Sequence, residues 1–170
     1  MRTEGDAGRI RRLARELGRV VAPGTRMYLT GGATVVLEGW RDSTVDIDVR
    51  FEPDSDAALS RIRDLKEEPT LNVELASTLD FLPPLPGWEE RSRFRLREGQ
   101  PRGLRLQPYS RALSKLQRGF DLEDVTNLID SGQVEPVRLG ELFEAIESDL
   151  FRFPAADGGA LRTAVASLAE

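Results

Sequence analysis

Over residues 6–21 the apolar positions Ile10, Leu13, Ala14, Leu17 and Val21 recur at three- and four-residue intervals with arginines between them, which predicts an amphipathic helix. Pro23-Gly24 breaks that pattern. Residues 27–30 read as a short buried strand running into Gly31-Gly32, and residues 33–38 as a short helix closed by Gly39. From 44 to 51 apolar and polar residues alternate strictly. Successive strand side chains point to opposite faces, so Val45, Ile47, Val49 and Phe51 share one face and Asp46, Asp48 and Arg50 the other. Asp54 or Ser55 can cap a helix reaching Glu67, whose core face is Ala58, Leu59, Ile62 and Leu65. Residues 71–76 alternate again, with Asn72 and Glu74 opposite Leu71, Val73 and Leu75.

The proline-rich stretch 77–90 predicts an ordered loop, in which Leu82-Pro-Pro-Leu-Pro is a rigid spacer. Residues 91–97 and 103–107 alternate around Gly99-Gln100-Pro101 as a hairpin. Four helical patterns follow, near 109–118, 121–131, 138–150 and 159–169. This order predicts an α+β fold: an antiparallel-rich mixed β-sheet flanked by helices, with a helical C-terminal region. The expected division is an α/β core over 1–108, including the N-terminal helix, and a helical part over 109–170 packed on it.

Composition narrows the chemistry. The 170 residues contain no cysteine and no histidine, which removes disulfides, thiolate catalysis, zinc sites, imidazole bases and Ser-His-Asp triads. Any metal must be hard and held by oxygen, as Mg²⁺ or Mn²⁺ is. A net charge of −5 gives no general attraction to nucleic acid. Arginine clusters locally at Arg91, Arg93, Arg95, Arg97, Arg102 and Arg105, a segment able to face an anionic partner. Early charges without an apolar run predict no secretory signal, no stretch matches a membrane span, and a cytoplasmic location is expected.

The chemistry concentrates in Gly31-Gly32 and Asp46-Ile47-Asp48. Two glycines at a strand end let backbone approach a ligand, and the helix that follows aims free N–H groups at the same point, with the Thr34 hydroxyl in its first turn. Asp-x-Asp on a strand sets two carboxylates on one face, an arrangement stabilised by cations or donors between them. Metal ions shared with a nucleoside triphosphate (NTP) suit it. The third carboxylate is Glu74 or, just past that strand, Asp80, with Asn72 on the face of Glu74 as a supporting group. Further on, Lys115 can reach phosphate oxygens as a compact cation. Asp121 is placed to cap the next helix, and Asp124 to orient Lys115 or Arg118. Trp40 and Trp88 read as packing residues, and Tyr109 as either core or a base-stacking ring.

The run Gly31-Gly32, a spacer of about a dozen residues, then Asp46-Ile47-Asp48 resembles the DNA polymerase beta-like nucleotidyltransferase superfamily. Within it, residues 29–51 are similar to bacterial proteins related to AbiE-type toxins of type IV toxin–antitoxin systems. Arg41, Thr44 and Asp46 match their Arg-x-x-Thr-x-Asp run, and Lys115, Arg118, Asp121 and Asp124 their second motif. The resemblance covers about residues 27–130. It implies a Mg²⁺- or Mn²⁺-dependent transfer of a nucleoside monophosphate from an NTP to a hydroxyl of a tRNA or other RNA end, or of a protein side chain, with a cognate antitoxin as partner. It implies Asp46, Asp48 and Glu74 as metal ligands and catalytic carboxylates, joined in catalysis by Lys115 and Asp124. Gly31, Gly32, Thr34, Arg41, Thr44, Lys115 and Arg118 would bind the nucleotide. The alternative is a non-catalytic nucleotide-binding or regulatory module on the same fold. Asp-x-Asp phosphatases fit poorly, because Val49 and Arg50 follow the pair where those enzymes carry threonine. Glycosyltransferases need a nucleotide-binding unit that does not fit before Asp46.

Overall fold

The computed structural model describes residues 5–67, 72–76, 80–97, 102–105, 108–119 and 122–169. The fold is mixed α+β. It divides into two compact units, one formed by Met1–Ser77 with Arg93–Arg105 and the other by Thr78–Ser92 with Leu106–Glu170. The proline-rich segment therefore groups with the later helices, and the hairpin strands with the N-terminal unit.

In the first unit the elements run β1 (Gly5–Asp6), α1 (Ala7–Gly18), β2 (Arg26–Thr30), α2 (Gly32–Leu37), β3 (Ser43–Thr44), β4 (Asp46–Glu52), α3 (Asp56–Glu67), β5 (Asn72–Leu75), β6 (Arg93–Arg97) and β7 (Arg102–Arg105). Among the described residues five strands make one sheet in the order β5-β4-β2-β7-β6. Its β5·β4 and β2·β7 pairings are parallel, and its β4·β2 and β7·β6 pairings antiparallel. The sheet is thus evenly mixed rather than antiparallel-rich. The reason is that β5 returns beside β4 through the crossover helix α3, and β7 lies alongside β2. The hairpin turn itself lies outside the described residues.

The period of two in β4 does what side-chain alternation requires. Ile47, Val49 and Phe51 are buried with Met27, Leu29 and Val73, and they pack with Ile10, Leu13 and Leu17 of α1 and Ala58 and Ile62 of α3 into one core. Asp6 caps α1 by accepting from the Arg9 N–H at 2.8 Å, and the Ser55 hydroxyl accepts from the Ala58 N–H at the start of α3. Among the described residues two expected core residues lie outside, and Leu71 falls beyond the described residues. Val45 is 47% exposed because the chain leaves the sheet there: Ser43–Thr44 pairs with Gly5–Asp6, not with β2. Leu75, 48% exposed, ends the short edge strand β5.

The second unit contains the short helix α4 (Trp88–Arg91), then α5 (Pro108–Arg118), α6 (Leu122–Asp130), α7 (Pro136–Glu147), a 3-10 turn at Leu150–Arg152, and α8 (Gly158–Ser167). Where an unbroken loop was expected, α4 supplies a turn of helix. Its proline-rich approach buries Leu82 and Leu85. Leu113, Leu128, Leu139, Phe143, Ile146, Leu161 and Val165 are buried along the later helices. Asp157 caps α8 by accepting from the Ala160 N–H at 2.9 Å. Tyr109 takes a structural place, its hydroxyl accepting from the Glu135 N–H at 3.3 Å. Among the described residues no helix is long and apolar enough to cross a membrane.

Candidate carboxylate site and the buried ion pair

The antiparallel register of β2 and β4 pairs Thr30 with Asp48, so Gly31 follows directly beside the second aspartate. Gly31 has φ +58° and ψ −137°, a combination that side-chain-bearing residues rarely adopt. A Cβ there would run into the Asp48 carboxylate. At Gly32 a Cβ would run into the Thr44 hydroxyl and lie 2.8 Å from the Thr44 Cβ. The two glycines are therefore small because Asp48 and Thr44 occupy the space beside them. The Gly-Gly turn and the Asp-x-Asp strand, 14 positions apart from Gly32 to Asp46, form one place in the fold.

Asp46 is exposed and Asp48 half-buried on the polar face of β4. The parallel register with β5 sets Asp46 beside Asn72 and Asp48 beside Glu74. The Asn72 amide donates to Asp46 Oδ1 at 2.5 Å and to Glu74 Oε1 at 3.3 Å. Glu74 thus stands with the aspartates on one face. Asp80, the other candidate, belongs to the second unit. Among the described residues no group of three or more carboxylates forms a ready-made metal cage.

The neighbouring hydroxyls hold the loops. The Thr44 hydroxyl donates to the Asp46 carbonyl at 3.0 Å, and the Thr34 hydroxyl donates to the Gly31 carbonyl at 2.8 Å. Thr34 is buried, so it shapes the glycine turn from within instead of lining an open surface. Arg41 is exposed.

In the helical unit, Lys115 Nζ lies 3.0 Å from Asp124 Oδ2, with the lysine side chain 12% and the aspartate side chain 2% exposed. Asp124 thus lies against Lys115. Sequence reading missed Arg111, a buried arginine whose Nη2 is 4.0 Å from the same Asp124 oxygen. Its signal was present: Arg111 and Lys115 are four apart on α5, one turn above the other on a face that also carries buried side chains. Arg118 is exposed and lies over the Phe81 ring, 5.8 Å from its centroid. Asp121 lies outside the described residues.

The arginine cluster is divided. Arg91 donates to the Pro86 carbonyl. Its guanidinium is held below its ordinary pKa first by burial and then by Arg138, with Tyr109 and Glu90 acting the other way. Arg93 is exposed. The side chains of Arg95, Arg97, Arg102 and Arg105 lie outside the described residues. Compared with protein-family models, curated proteins and solved structures, the chain matches none.

Proposed function

We propose that the chain is a metal-dependent nucleotidyltransferase, moving a nucleoside monophosphate from an NTP to a hydroxyl acceptor at an RNA end or on a protein side chain. One observation carries the reading: Asp48 and Thr44 lie so close against Gly31 and Gly32 that a Cβ at either position would clash, which unites the turn and the carboxylates in one site. The donor set is hard oxygen throughout, and strand pairing brings Glu74 beside Asp48 on the face that carries Asp46. Both fit Mg²⁺ or Mn²⁺, which typically takes one or two protein carboxylates and completes its shell with phosphate and water. Asp46 and Asp48 would hold the metal, with Glu74 alongside. When bound, the metal would neutralise charge on the triphosphate.

The residues of the chain then have defined tasks. The Gly31-Gly32 backbone admits the polyphosphate closely, and the carboxylates orient the acceptor hydroxyl for in-line attack on the α-phosphate. Bond formation to the acceptor oxygen is matched by loss of pyrophosphate. In the helical unit Lys115, held by Asp124, is a compact cation of the kind that pairs with phosphate oxygens. A bacterial toxin–antitoxin role, a tRNA acceptor and a cognate antitoxin belong to the same proposal.

The test is transfer of label from NTPs labelled at the α-phosphate, screened with total tRNA and with the protein itself as acceptor. Wild type should label an acceptor. Asp46→Ala should reduce labelling by at least about a hundredfold, with a melting temperature unchanged or higher. Binding of NTP without any transfer would leave the non-catalytic nucleotide-binding module, and a large loss of stability in Asp46→Ala would make the aspartate structural.

A further inference from the structure

We propose that Asn72 is the positioning residue of the carboxylate site, holding Asp46 and Glu74 at a fixed separation so that their remaining oxygens face a divalent cation. The inference rests on the metal-site reading above. The parallel register of β4 and β5 sets Asn72 directly beside Asp46 and two residues before Glu74, all on one face of the sheet. Both N–H bonds of an amide leave from a single nitrogen, and here that nitrogen reaches Asp46 Oδ1 and Glu74 Oε1 together. Both carboxylates are exposed and both are acceptors only, so the amide must present its nitrogen to them. Without a donor between them their charges repel and water lets them splay.

Other residues would do this less well. Asn is depleted in strands, and here it opens β5 with its side chain on the face of the carboxylates. Serine is shorter and has one donor, and aspartate would add a third negative charge. Each carboxylate has two oxygens, and the amide engages one of each, so Asn72 orients the pair without displacing a cation from it. Asn72 would thus act on the metal through Asp46 and Glu74, as residues supporting metal ligands do elsewhere.

The experiment is Mn²⁺ binding to the full chain without nucleotide, followed by the electron paramagnetic resonance of free Mn²⁺, with melting curves in parallel. Wild type should bind Mn²⁺. Asn72→Ala should weaken binding by roughly tenfold or more with little change in melting temperature. Asn72→Asp keeps the size and loses the donor, and it should weaken binding as well. Equal Mn²⁺ affinity in wild type and Asn72→Ala would overturn the proposal while leaving the metal site standing. Wild-type affinity in Asn72→Asp would make the role one of shape alone, and tighter binding would make position 72 a ligand; either outcome also overturns it. Failure of wild type itself to bind Mn²⁺ would remove the metal-site reading, and this proposal with it.

Discussion

At Gly32 an added Cβ would meet the Thr44 Cβ at 2.8 Å and its hydroxyl closer still, whereas at Gly31 it would meet only the tip of the Asp48 side chain. The two positions should therefore fail differently. Gly32→Ala forces a packed loop apart, and urea unfolding should show a loss of about 1–3 kcal/mol. Thr44→Gly in the same chain should recover part of it, a coupling that a double-mutant cycle measures. In Gly31→Ala the carboxylate can swing aside, but the backbone conformation costs about 1–3 kcal/mol and Asp48 leaves its position. Mn²⁺ affinity should fall in Gly31→Ala by more than in Gly32→Ala when both are read in the same titration. Wild-type Mn²⁺ binding in Gly31→Ala would separate the glycine turn from the carboxylates. At this scale the candidate residues were legible because glycine pairs and Asp-x-Asp are chemically conspicuous. Asn72 was visible as a neighbour of Glu74, but its bond to Asp46 depends on strand pairing across 26 positions.

Asp124 on α6 has Lys115 and Arg111 of α5 facing it, and all three are largely buried. Removing the shared carboxylate leaves two cations without it. Asp124→Ala should cost about 3–5 kcal/mol in urea unfolding. Lys115→Met should cost less, because Arg111 still faces Asp124. If Asp124→Ala costs no more than an exposed pair, under about 1 kcal/mol, the cluster does not hold α5 to α6. The i,i+4 spacing of Arg111 and Lys115 was legible, and so was the helix pair. The burial that turns these charges into a coupled unit was not. Strand ends tell the same story from the other side: alternation correctly placed Ile47, Val49 and Phe51 in the core, yet it could not show that β4 begins at Asp46 or that β5 lies at the sheet edge. Val45 and Leu75 are exposed for those reasons.

The chain passes between its two compact units at 77/78, 92/93 and 105/106, and each unit buries its own apolar residues. Trp40 falls in the first unit and Trp88 in the second, and the chain has no other tryptophan. Chains carrying Trp40→Phe or Trp88→Phe therefore report one unit each by fluorescence. Asp124→Ala should move the unfolding transition reported by Trp88 further than the one reported by Trp40. Equal shifts in both would show that the molecule unfolds as a single cooperative body. The division itself was only partly legible. Helices crowd the C-terminal stretch, and their periodicity marks it as one region. Assignment of the proline-rich residues 78–92 to that region depends on tertiary contacts, which the local pattern does not show.

By itself the sequence determined the types of the longer helices and strands, the apolar faces of α1, β4 and α3, the oxygen-only character of any metal site, and the pairing of Gly31-Gly32 with Asp46 and Asp48 as the place to look. These follow from local periodicity and side-chain chemistry, which act over a few residues. The tertiary structure decided the sheet order, the contact of Gly31 with Asp48 and of Gly32 with Thr44, the Asn72 bridge, and the burial of Arg111 beside Asp124. Each of these joins positions separated along the chain. Such pairings depend on which strands and helices become neighbours, and no local pattern encodes that choice.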